Sequence, residues 1–138
     1  MKSRRSIALA LLADAALVLV FVLIGRASHD ENPVLGALVT LWPFLVGLLF
    51  GWLVSRAWHA PIAVVRTGIP VWASTVIVGM LLRWASGQGV QVSFIIVTCI
   101  VLAFFLLGWR LVAALVWRRR SRKSRQFTTA SSDNSSLT

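Results

Sequence analysis

Between Ser93 and Trp117 the chain reads SFIIVTCIVLAFFLLGWRLVAALVW, 25 residues with a single charge, Arg110, and RRRSRKSR follows at once. At ~1.5 Å rise per residue, a helix of that length exceeds the ~30 Å hydrocarbon core of a bilayer. It is therefore predicted to span a membrane. Six basic residues among the next eight hold that end on the cytoplasmic side. The rest of the chain can be oriented from this segment, which gives topology and not activity.

Composition agrees. The 138 residues are 58% apolar and 13% charged, with a mean hydropathy of +0.83. A soluble domain has about 45–50% apolar and about 25% charged residues, so the balance is that of a polytopic membrane protein. The length allows four spans with short loops and leaves no room for a separate soluble domain. The net charge of +10 raises the question of nucleic acid. The charges gather in the two terminal segments, with no basic groove or stacking aromatics beside them. They read as topogenic residues facing anionic lipid head groups, with no nucleic-acid partner. A lone cysteine, Cys99, excludes a disulfide or cysteine metal site within one chain and is expected to be a small buried hydrophobe.

Residues 1–6 form a basic cytoplasmic segment ahead of a first span over 7–24. The segment starts as a signal peptide does, but the apolar run continues past Ala15 and contains Asp14, so a retained span is expected. GRASHDENP is a polar turn, and 34–54 is the second span. Pro43 should kink that span and free the carbonyl of Val39, with Thr40 near enough to help satisfy it. Gly47 and Gly51 make a GxxxG step, suited to close helix packing within the chain or to homodimerisation. After SRAWHAP a third span covers 62–82, with Arg66 near its start. Pro43 and Pro70 are placed near the middle of their spans, where broken helices can build solute sites or merely bend to pack. The fourth span is 92–117. The tail, 118–138, is basic, then rich in Ser and Thr, and is expected to be disordered.

This predicts an all-α four-transmembrane-helix bundle with both termini cytoplasmic. Ten basic residues then fall in cytoplasmic segments against two outside, Arg26 and Arg83. Trp58, Trp84 and Trp117 sit at the interfaces. A faint repeat accompanies this: a shift of 57 positions places Arg26 on Arg83 and Gly51-Trp52 on Gly108-Trp109. Both halves would then be hairpins related by an axis along the membrane normal.

Asp14 is the most informative residue. It lies roughly 10 Å inside the first span at helical rise, where a carboxylate costs at least about 2.5 kcal/mol and needs a partner. Arg110 in the fourth span matches its depth, and Arg66 in the third is shallower. Asp14 reads either as half of a buried ion pair or as a protonatable carboxylate in a path. At the outer side, Arg26, His29, Asp30, Glu31 and Arg83 form a polar group. Three consecutive potential ligands cannot easily converge on one metal ion, so a solvated, partly paired loop is expected. No hydrolase, metalloprotease or nucleotide-binding motif is present. Catalytic residues, metal ligands and cofactors are therefore assigned to none of these positions, and no enzymatic activity is expected.

Asp14, Gly25-Arg26, His29, Trp42-Pro43-Phe44, Trp72, Gly79-Met80, Arg83, Ser93-Phe94 and Gly108-Trp109-Arg110 together resemble the bacterial membrane family called domain of unknown function 3054. The resemblance covers about Ile7 to Leu115. It implies a small integral protein of the bacterial inner membrane and assigns no activity. On this reading the protein is a structural or interaction subunit, with a homo-oligomer or a membrane partner in view. The alternative is an oligomeric transporter or channel for a small solute or ion, using a protonatable Asp14.

Overall fold

A computed structural model describes residues 4–26 and 33–135. Four helices account for the architecture: α1 (Arg4–Arg26), α2 (Pro33–Val54), α3 (Ile69–Ala85) and α4 (Val92–Ser135). All four segments are long and apolar enough to cross a membrane, α3 doing so together with the π-helical turn Val64–Gly68 that precedes it. The expected all-α four-span bundle is the fold observed, and the chain is a multi-pass membrane protein. The loop carrying His29, Asp30 and Glu31 lies outside the described residues.

Burial follows helical spacing. In α1 the buried positions are Ala10, Asp14, Val18, Phe21 and Val22, steps of three and four that line one face. In α4 the stripe is Thr98, Leu102, Leu106 and Arg110, each one turn from the next. Leu9, Leu12, Val97, Ile100 and Phe104 face outward, as lipid-facing side chains do when hydrocarbon replaces water. Trp58, Trp84 and Trp117 are also exposed near span ends.

α2 and α3 make the most extensive contact of any two elements. Its cause is the glycine step. A Cβ on Gly47 would stand 2.9 Å from the Ser74 carbonyl oxygen, and one on Gly51 would stand 2.9 Å from Val71 Cα. Only a missing side chain allows that approach. The GxxxG face is thus occupied within the chain.

Three features differ from expectation. The third span does not begin as an α-helix at 62: a 3-10 turn (Ala57–His59) and the π turn come first. Pro70 therefore sits in the first turn of α3 and does not break its middle. Its absent N–H falls where the π turn passes into the α-helix. The tail is helical through Ser135, continuous with the fourth span. The span supplies a formed helix end, so extension avoids the nucleation cost, and Arg, Lys, Gln and Ala extend it readily. Cys99 is partly and not fully buried.

Candidate functional site

The polar centre of the bundle forms around Asp14, which is completely buried, as is Arg110. Arg110 Nη2 lies 2.6 Å from Asp14 Oδ2, and Nη1 donates to Oδ1 at 2.7 Å. This is a two-pronged guanidinium–carboxylate pair, the geometry for which arginine is suited. Two indoles complete it. Trp52 Nε1, in the last turn of α2, donates to Oδ2 at 2.8 Å, and Trp109 Nε1 donates to Oδ1 at 2.8 Å. Four N–H donors thus fill the four lone-pair sites an ionised carboxylate offers.

Arg110 is equally occupied. Its Nε donates to the Pro61 carbonyl at 3.0 Å, and Nη1 also reaches the Leu106 carbonyl at 2.9 Å. The irregular backbone between the 3-10 and π turns explains the first bond. Residues 60–63 are not helical, so the Pro61 carbonyl is free to turn inward. Buried backbone outside a helix persists only where protein groups satisfy it. Gly68 makes room for the arginine stem: a Cβ there would lie 3.2 Å from Arg110 Cδ. Buried Thr67 closes the turn by donating from Oγ1 to the Ala60 carbonyl at 2.7 Å.

A second polar region lies at the opposite end of the bundle. Arg26 and Arg83, which close α1 and α3, line one cavity of about 290 Å³ with Thr40, Gln88, Gln91 and Phe94. Its apolar floor is a phenylalanine cluster. Phe21 meets Phe44 edge-on at 5.5 Å between ring centroids, and Phe94 is 6.4 Å from each.

The family model described as "Protein of unknown function (DUF3054)" matches residues 11–113. The chain belongs to this family. The match contains both polar regions and omits the tail. No curated protein and no solved structure matches the chain.

In this DUF3054 chain, then, Asp14 meets Arg110, while Arg66 stands exposed on the π turn. Arg26 and Arg83 share a cavity. Arg26 Nη1 donates to Thr40 Oγ1 at 3.2 Å. Trp52, Trp109 and the Pro61 carbonyl were absent from the sequence-based candidates. The 57-position shift that overlays Gly51-Trp52 on Gly108-Trp109 was the available signal for the two indoles.

At the end of the bundle where α1 begins, α4 and the residues after the 3-10 turn frame a further cavity of about 590 Å³. Ile62, Ala114 and Trp117 form its apolar wall, and Arg118, Arg122 and Arg125 its basic one. These arginines share a face because the helix continues beyond the span.

Proposed function

We propose that the protein is a structural or interaction subunit of the membrane, acting through helix packing and not through a proton-carrying carboxylate. The observation that supports this best is the occupancy of Asp14: each oxygen accepts one guanidinium and one indole N–H. No lone-pair site of that carboxylate is left without a donor. Buried networks this complete rigidify a core. With Gly47 and Gly51 occupied by α3, a partner or second copy would have to meet another face.

The reading places the chain in a bacterial inner membrane with both termini cytoplasmic, supported by the positive-inside count. Anionic lipid head groups are the partners proposed for the basic tail. The groove of Trp117, Arg118, Arg122 and Arg125 supports this, since it offers charge beside an apolar wall. It assigns no catalysis, cofactor, metal or nucleic acid.

The test is proton flux in proteoliposomes, run with thermal unfolding in detergent. The structural reading expects wild type and Asp14→Asn to leak protons no faster than empty vesicles, with Asp14→Asn less stable. A wild-type flux that Asp14→Asn abolishes would overturn it in favour of the transporter or channel.

A further inference from the structure

The cavity between Arg26 and Arg83 has no part in the packing role proposed above, and its chemistry is specific. Arg83 donates from Nη1 to Gln88 Oε1 at 2.9 Å, and from Nη2 to the Gly89 carbonyl at a long 3.5 Å. Its Nε is buried with no hydrogen-bond partner. The guanidinium lies over the Phe94 ring, 4.6 Å from the centroid, which fixes its plane. The acceptors it has are neutral. A guanidinium held by neutral acceptors, on the wall of a cavity that a second arginine also lines, is the arrangement that suits an oxyanion.

Local backbone builds the cavity. Gly87 and Gly89 adopt φ of +77° and +76°, a region that other residues rarely enter. They turn the chain back so that Gln88 and the Gly89 carbonyl meet Arg83. On the facing wall, a Cβ at Gly36 would strike the Arg26 guanidinium, so the bare backbone there is what lets Arg26 lie along α2 toward Thr40. A second cation is thereby held at the same cavity.

We propose that this cavity binds a small oxyanion, a carboxylate or phosphate group, with Arg83 as its anchor. About 290 Å³ accommodates such a group with a short carbon chain, and Phe21 and Phe94 supply an apolar floor for it. A soluble anion and the phosphate of a lipid head group present the same chemistry. The chain's own Asp30 and Glu31, close after Arg26 in sequence, are the competitors to eliminate.

The experiment is a titration of the full chain in maltoside micelles at constant ionic strength. The probes are inorganic phosphate, succinate and phosphatidylglycerol, read by thermal stabilisation and tryptophan fluorescence. It is repeated for Arg83→Gln, Arg83→Lys and the paired Asp30→Asn/Glu31→Gln variant. A saturable response is expected that weakens about tenfold or more in Arg83→Gln. In Arg83→Lys, which keeps the charge without the fork and guards against misfolding, an intermediate response is expected. A response to phosphate or succinate identifies a soluble anion, and one to phosphatidylglycerol alone identifies a lipid head group. Either sustains the site. No response to any probe overturns it, as does an unchanged response in both Arg83 variants. Binding that emerges only in Asp30→Asn/Glu31→Gln also overturns it, because the loop's own carboxylates then fill the cavity. Proton flux plays no part in this readout, so the site and the packing role stand or fall separately.

Discussion

Trp52 and Trp109 donate to opposite oxygens of one carboxylate, both at 2.8 Å. They are also the positions that a 57-residue shift superimposes. Arg26 and Arg83, the other matched polar pair, meet at a single cavity at the far end of the bundle. Matched positions therefore converge on shared sites. The match breaks where the charges lie: the same shift sets Asp14 against Val71 and Arg110 against Leu53. Each half carries one charge of the buried pair, so neither half can neutralise its own. That makes the pair a lock between halves.

The first prediction concerns that lock. Asp14→Asn and Arg110→Gln should each lower stability by about 3–5 kcal/mol, because each strands an uncompensated partner in the core. The double variant should recover much of the loss. Thermal unfolding in detergent of all four proteins closes the cycle. Independent, additive losses would refute the lock.

The indoles should matter less, and about equally. Trp52→Phe and Trp109→Phe each remove one N–H donor from an ionised acceptor, a contribution of about 1.5–3 kcal/mol. Because both donors serve one carboxylate, their combined loss should differ from the sum. Denaturation of the two singles and the double tests it. A variant as stable as the parent would show that its hydrogen bond does not hold the carboxylate in place.

Some of this was legible in the sequence and some was not, for physical reasons. Hydrocarbon imposes length and apolarity on a span, so all four helices could be placed. A charge at depth needs a counter-charge at similar depth, which linked Asp14 with Arg110 across 96 positions. Trp52 is hard to single out because tryptophan near a span end ordinarily marks the interface, as exposed Trp117 does, and Trp109, inside its span, carries no charge that calls for a partner. The irregular entry to the third span is not legible because Pro70 reads alike as a mid-span break and as a first-turn residue. Only the π turn before it decides. The tail was expected to be disordered because it has nothing to bury, yet a helix already formed can extend through exposed residues without burial.

A third prediction separates glycines that pack from those that do not. Gly47→Ala and Gly51→Ala push a Cβ toward α3 backbone, which cannot swing aside as a flexible side chain would, and should cost about 1–3 kcal/mol each. Gly108→Ala meets nothing within 4 Å. It should be neutral or stabilise by about 0.5–1 kcal/mol through helix propensity. Chemical denaturation of the three variants in micelles checks the contrast. Equal effects at Gly47 and Gly108 would remove the case for α2–α3 packing through the glycine face.

The last prediction rests on two buried threonines whose hydroxyls fare differently. Thr75 Oγ1 donates to the Val71 carbonyl one turn back, at 2.7 Å. Thr98, on the stripe that leads to Arg110, keeps Oγ1 buried with no partner. A hydroxyl stranded in an apolar interior forfeits its hydration and receives nothing in return. Thr98→Val retains the β-branched shape and removes the stranded group, so it should raise stability by about 1 kcal/mol or more. Thr75→Val gives up a hydrogen bond and should lower it by about 0.5–1.5 kcal/mol. Opposite signs from one chemical change, measured side by side by thermal unfolding, are the outcome expected. A loss at Thr98 comparable with that at Thr75 would mean its hydroxyl has a partner within the membrane, and a second helix packed against α4 would be the place to look for it.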